Sequence, residues 1–325
     1  MHNTSGQHIH PRWAVLLLFC FLFVLFLALS PVRAATTGPA SASDPQVWFV
    51  TGSNRGMGLE IARSALAAGD RVVATSRHPD QVRAALGAYG DRVLALPLDI
   101  THEEQARSAV SEAVRHFGRI DILVNNAGYG QLGWFENTSV KLVRRQFETN
   151  LFGTMNVTRE VLPVMRKQKS GHIFTTSSTA GLIAGEGSSV YSSSKYAVEG
   201  WMEGLRAEVT PLGIKTTLIE PGFFRTDFLD KSSVSFGDSD LPDYHARSEA
   251  FREWHAKMNH RQIGDPARIA AAVVTLSRMP SPPQRFVAGS DATKLILTKL
   301  DAVQQELRQH RALSASTDGS WEAFK

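Results

Sequence analysis

From Val47 onward the chain repeats one alternation: a short apolar run, an amphipathic stretch of helical period, then another apolar run. The apolar runs lie at 47–50, 71–75, 93–98, 120–124, 172–176, 215–220 and 285–288, and helical patterns fill the intervals. A continuously apolar strand has to be covered on both faces, and helices placed between consecutive strands supply that cover. The pattern therefore predicts an α/β fold, a doubly wound parallel sheet in a single domain. One helix carries its own punctuation: Thr101-His102-Glu103-Glu104 reads as a capping box ahead of a run through Val114, and Gly118 closes it. In sheets of this kind ligands bind at the carboxyl ends of the strands, so the chemistry is expected just after each apolar run.

The N-terminus stands outside this plan. Residues 13–29 are apolar without exception, and Ser30, Pro31, Val32, Arg33 and Ala34 follow. Residues 1–34 read as a targeting segment, either an uncleaved membrane anchor just short of a comfortable span or an export signal cleaved near Ala34. Arg12 on one flank matches Arg33 on the other, so charge does not set an orientation. The expected location is membrane-associated through this anchor, with export after cleavage as the alternative. Residues 35–45 read as a linker, 46–310 as the domain and 311–325 as a tail. Cys20 is the only cysteine, which excludes an intrachain disulfide.

Composition narrows the class further. With 43% hydrophobic and 20% charged residues the chain is neither disordered nor a coiled coil. Lys plus Arg number 35 against 31 Asp plus Glu, a net +4 without a run of five like charges, so nucleic acid is not an expected partner.

The first apolar run leads directly into Gly52-Ser53-Asn54-Arg55-Gly56-Met57-Gly58, with an amphipathic helix behind it. Glycines at such a turn let backbone N–H groups approach a pyrophosphate, whose charge the helix N-terminus stabilises; a purely structural turn would need the same residues. At the end of the second run, an acidic residue would hold the ribose 2′-hydroxyl of NAD, and a basic one would accommodate the 2′-phosphate of NADP. That run ends in Thr75-Ser76-Arg77, and Arg55 adds a second positive charge. Unless both are solvated surface arginines, they favour NADP, with NAD the alternative. The 11 histidines form no metal pattern: His-Glu-x-x-His is absent, and His245, His255 and His260 do not share a helical face. No metal is expected.

From about Val47 to the end of the sheet the chain resembles the short-chain dehydrogenase/reductase family. The resemblance is carried, in order, by the glycine turn, Asp99, Asn125-Asn126-Ala127-Gly128, Asn150, Ser178, Tyr191-Ser192-Ser193-Ser194-Lys195, Pro221-Gly222 and Thr226. A lone Tyr-x-x-x-Lys says little, but Ser178 stands 13 positions upstream at the end of a predicted strand, as the resemblance requires. It implies a Rossmann-type fold, an oxidoreductase acting on an alcohol or carbonyl, and a homo-oligomer. Asp99 would contact adenine, while Pro221, Gly222 and Thr226 would border the nicotinamide. Lys195 would also hold the nicotinamide ribose, and Asn150 would support a proton-relaying water; alternatively Asn150 bonds a backbone carbonyl.

Tyr191 and Lys195, at i and i+4, are neighbours on a helix. The ammonium, together with the positive nicotinamide ring of the oxidised cofactor, is expected to lower the tyrosine pKa, so that Tyr191 exchanges a proton with a substrate oxygen that Ser178 hydrogen-bonds. A non-catalytic dinucleotide-binding sensor or scaffold would share the fold without needing Ser178, Tyr191 and Lys195.

Residues 223–260 break the alternation and read as a small helical substrate lid carrying Phe223, Phe224, Phe228, Tyr244, Phe251 and Trp254. These aromatics either face an apolar substrate or pack the lid. The stretches 125–130 and 220–226 look most like the 17β-hydroxysteroid and retinol dehydrogenase-like group.

Overall fold

A computed structural model describes residues 45–319; the targeting segment expected at 1–34 lies outside them. Among the described residues no helix is long and apolar enough to cross a membrane.

All seven apolar runs are strands of one parallel sheet. They are β1 (Val47–Thr51), β2 (Arg71–Ser76), β3 (Val93–Pro97), β4 (Ile122–Asn125), β6 (Gly171–Thr176), β7 (Ile214–Pro221) and β9 (Arg285–Ala288). The helices are α1 (Gly56–Ala67), α2 (Pro79–Leu86), α3 (Glu103–Phe117), α4 (Val140–Phe147), α5 (Thr154–Gln168), α6 (Ser189–Val209), α7 (His245–Met258), α8 (Pro266–Ser277) and α9 (Ser290–Ala315). The strand order is β3-β2-β1-β4-β6-β7-β9. The chain thus builds outward from β1 on one side and then returns to its other side. The ends of β1 and β4 diverge into a crevice at this reversal.

The side-chain period of two sorts the core into layers. Along β1, Val47 and Phe49 join α3, α5 and α6 on one face, while Trp48 and Val50 join α1, α2 and α8 on the other. All four are fully buried, which is why the run is apolar throughout. The run expected at 120–124 starts as a strand only at Ile122, because Asp121 turns its carboxylate back to accept from the Val47 N–H at 2.9 Å.

Two short strands escape the sequence pattern. β5 (Gly130–Leu132) and β8 (Val234–Phe236) form a separate parallel pair that ties the lid to the segment after β4. The capping box is also corrected. Gly118 closes α3 in a left-handed conformation (φ 79°), but His102 occupies the N-cap without a side-chain bond. Thr101 instead donates its Oγ1 to Asp99 Oδ1 at 2.7 Å and its N–H to the same oxygen at 3.0 Å, since a carboxylate is the stronger acceptor. The tail expected from 311 begins inside α9, which runs to Ala315.

Helix α6, which carries the candidate catalytic pair, is weakened by Gly200 and Gly204. Both are exposed, and an added Cβ would meet nothing within 4 Å at either. Gly200→Ala is therefore expected to stabilise the protein by about 0.5–1 kcal/mol, read as a melting temperature about 2–4 °C higher. A lower melting temperature would contradict the open surface found there.

Candidate active site

The glycine turn is built by close backbone approach. Gly52 and Gly56 have φ of +67° and +53°, and a Cβ on Gly58 would stand 2.3 Å from the Gly52 carbonyl oxygen and 2.4 Å from Asn126 Nδ2. Asn126 laces the two strand ends together, donating from Nδ2 to Thr51 O at 3.0 Å and to Gly52 O at 3.3 Å. Thr51 Oγ1 in turn accepts from the N–H groups of Asn126 and Ala127 at 2.9 and 3.0 Å. Nothing in the sequence singles out Thr51, because a threonine ending a strand carries no local signal.

Above this turn opens a cleft of about 1500 Å³, lined by fourteen of the seventeen residues expected to form the site. They are Gly52, Asn54, Arg55, Gly56, Met57, Arg77, Asp99, Asn126, Ser178, Tyr191, Lys195, Pro221, Gly222 and Thr226. Ser53, Gly58 and Asn150 lie behind its wall. The Ser53 hydroxyl is buried, donating to Val50 O at 2.7 Å and accepting from the Thr75 N–H at 3.0 Å, so it pins β1 to β2.

The polar end of the cleft fits a dinucleotide: a glycine cradle that any Cβ would fill, the N-terminus of α1, and cationic side chains. Arg77 is exposed at the end of β2. Asn54 Nδ2 donates to Gln81 Oε1 at 2.9 Å. Arg55 reaches across to the lid, bonding Ser232 O at 3.0 Å and Ser233 Oγ at 2.8 Å through Nη2. Asp99 is partly buried, which opposes ionisation, but the hydrogen bonds from Thr101 prevail and hold its carboxyl below the usual range. On the far wall Gly222 donates to Ala288 O at 2.9 Å, and a Cβ there would strike the Asp291 carboxylate at 2.4 Å. Thr226 caps a short turn, its Oγ1 accepting from the Phe228 N–H at 3.3 Å.

The reactive end is apolar. Tyr191 is 8% exposed, in a cluster with Leu132 and Val234 that Phe228 and Phe251 complete. The rings of Tyr191 and Phe228 are 5.6 Å apart. This burial pushes the phenol up to about 12, with the Ser178 hydroxyl pulling the other way. Lys195 Nζ donates to Thr176 O at 2.8 Å and lies 5.9 Å from the centre of the tyrosine ring. Burial brings the ammonium down to about 8, opposed by the charge of Glu199.

The expected proximity of tyrosine and lysine is present. In the protein by itself, removal from water raises the phenol. Ser178 Oγ accepts from the Ala180 N–H at 3.1 Å, which sets its hydroxyl at the end of β6.

Asn150 sits in a π-helical segment, Glu148–Gly153, between α4 and α5. Such bulges recur at functional sites because they redirect one side chain. Here the amide brackets Tyr129, accepting from its N–H at 3.1 Å and donating to its carbonyl at 3.0 Å, and it also donates to Ser194 Oγ at 3.2 Å.

The lid aromatics divide between the two roles open to them. Phe223, Phe224, Phe228, Phe251 and Trp254 line the cleft, whereas Tyr244 stacks on Trp134 at 5.8 Å and holds Glu136. Of the histidines, His255 is packed 4.2 Å from the Phe251 ring, and His260 lies 3.2 Å from Asp230.

Comparison with known proteins agrees with this geometry. The sequence profile described as short chain dehydrogenase matches residues 46–235. Oxidoreductase BOA17 of Botryotinia fuckeliana is 39% identical over 273 residues, covering 84% of this chain and 99% of that protein. The 3-ketodihydrosphingosine reductase of Bacteroides thetaiotaomicron is 35% identical over 248 residues, 75% of this chain and 88% of that one. Among solved structures, a short-chain dehydrogenase from Streptomyces avermitilis superposes with a TM-score of 0.78 at 38% identity, covering 85% of this chain and 100% of that one. The fold is shared with a Burkholderia phymatum short chain dehydrogenase/reductase solved in complex with NAD, at a TM-score of 0.65 and 19% identity. A glycine cradle, a Ser-Tyr-Lys set lining one cleft and these likenesses together lead to one conclusion: the chain belongs to the short-chain dehydrogenase family of oxidoreductases, which bind a nicotinamide dinucleotide.

Proposed function

We propose that the protein is an NADP-preferring oxidoreductase interconverting an apolar alcohol and its carbonyl compound. The observation that carries this reading is a single cleft with Arg77 at its polar end and the Tyr191 hydroxyl in an aromatic nest at the other. The nicotinamide, when bound, supplies or accepts the hydride. Ser178 hydrogen-bonds the substrate oxygen and stabilises charge that develops on it. Tyr191 passes a proton to that oxygen in reduction and takes it back in oxidation. Burial raises the phenol, which keeps on the hydroxyl the proton that reduction requires. Lys195 places its positive charge beside the tyrosine ring and opposes the cost of a phenolate there.

The apolar lining, together with the stretches at 125–130 and 220–226, puts steroid and retinoid carbonyls among the substrates to try. A panel of ketones and aldehydes assayed with NADPH and with NADH tests the proposal; absence of turnover on an apolar carbonyl would refute it. Arg77→Asp replaces the cation facing a 2′-phosphate by a carboxylate suited to a 2′-hydroxyl. The ratio of kcat/KM with NADPH to that with NADH should fall by about tenfold or more, equivalent to one lost charge-assisted hydrogen bond. A wild-type protein that already prefers NADH would show that Arg77 has been misread.

A further inference from the structure

Behind the Tyr191 and Lys195 pair lies a buried charged cluster that the chemistry above leaves unused. Glu199 follows Lys195 by one helical turn on α6 and is 4% exposed, and Glu220, near the end of β7, is 0% exposed. Arg285 at the start of β9 binds both, its Nη1 reaching Glu220 Oε1 at 2.8 Å and also the Glu199 carboxylate. Its Nη2 reaches the exposed Glu203 at 3.1 Å. One guanidinium therefore faces two buried carboxyl groups, whose other oxygens, Glu199 Oε1 and Glu220 Oε2, accept nothing from it. Two carboxylates in contact within a protein interior do not both ionise readily, because each charge opposes the other in a medium that screens poorly.

We propose that Glu199 and Glu220 act as one proton-sharing carboxyl pair that sets how firmly Lys195 holds its charge, which makes Glu199 a positioning residue for the reaction. The titratable and charged groups facing the pair are Lys195 and Glu203 from α6 and Arg285 from β9, while the segment after β6 contributes the Ser177 hydroxyl. Burial pushes Glu199 up and the charge of Glu220 adds to it, against the Ser177 hydroxyl and Arg285. Glu220 is raised as well, again chiefly by burial and against Arg285. The two carboxyls therefore share negative charge that neither holds as readily as a free glutamate would. The share resting on Glu199 is the one that supports the Lys195 ammonium against its own burial. Each carboxyl thus influences the lysine with opposite sign. Removing Glu199 takes the support away, whereas removing Glu220 leaves Glu199 free to ionise fully.

The inference rests on the reductase reading, and its test separates the two. In carbonyl reduction the basic limb of the pH profile reports loss of the Lys195 proton, since Tyr191 stays protonated to a higher pH. Glu199→Gln should move that limb down by about one pH unit, Glu220→Gln should move it up, and Glu199→Asp should restore most of the wild-type position. The pH at which the Lys195 amine becomes half-reactive towards acetic anhydride, read by mass spectrometry, should move in the same directions and needs no turnover. Limbs that stay in place, or that move the same way in both glutamine variants, would overturn the proposal. If Glu199→Gln does not fold, Glu220→Gln decides alone, and no upward shift in it overturns the proposal. A wild-type protein that reduces no carbonyl while its Lys195 reactivity shifts as stated would refute the reductase reading and leave this one standing.

Discussion

Tyr191→Phe should lower turnover by at least about a hundredfold while the dinucleotide dissociation constant stays within about twofold of the wild type. The substitution keeps the ring that packs with Phe228, Leu132 and Val234 and removes only the hydroxyl. Stability should therefore change little, and the loss falls on the chemical step. The assignment of roles carries a pH dependence with it. With Tyr191 raised to about 12 and Lys195 lowered to about 8, the reductive activity of the wild type should decline on the alkaline side through the lysine first. Steady-state kinetics beside calorimetric titration with the dinucleotide would check both claims; activity within a few-fold of wild type would remove Tyr191 from the mechanism.

Gly58→Ala is the second change with a large expected effect, and it acts on binding. A Cβ at this position would overlap the Gly52 carbonyl oxygen at 2.3 Å and the Asn126 amide at 2.4 Å. The first obstacle is backbone, which cannot swing aside, and the second holds the ends of β1 and β4 together. Overpacking of this kind costs about 1–3 kcal/mol, and relief requires the turn to open where a pyrophosphate would rest. Dinucleotide affinity should therefore fall by about tenfold or more, and the melting temperature should drop, opposite in sign to the gain expected for Gly200→Ala. Wild-type affinity in Gly58→Ala would show that the cradle is more pliable than its contacts imply.

Much of this protein was legible in its sequence because the signals were local. A strand covered on both faces is mostly apolar along its length, so the seven runs could be recognised one at a time without their partners. The glycine turn, Ser178 and the Tyr191 and Lys195 pair lie at strand ends or one helical turn apart, where spacing alone brings them to one side of the sheet.

What the sequence could not determine depended on residues far apart in the chain. β5 and β8 have three residues each, too short for a period of two to stand out, and each forms only because the other lies beside it. Nothing in the order of residues says that the Ser53 hydroxyl turns into the sheet while Asn54 and Arg55 face the cleft. Nor does it say that Thr101 serves Asp99 in preference to capping α3. The charged neighbour of Tyr191 was visible in the sequence; the apolar wall from Leu132, Val234 and Phe228, which takes the phenol out of water and raises its pKa, was not. Arg285 meets Glu199 and Glu220 across separations of 86 and 65 residues. The sequence by itself determined the layers, the strand-end position of the site and its reactive groups, all of which follow from local periodicity and spacing. Only the tertiary structure decided how deeply those groups are buried and which charges face them, because desolvation and Coulomb interaction depend on distance through space.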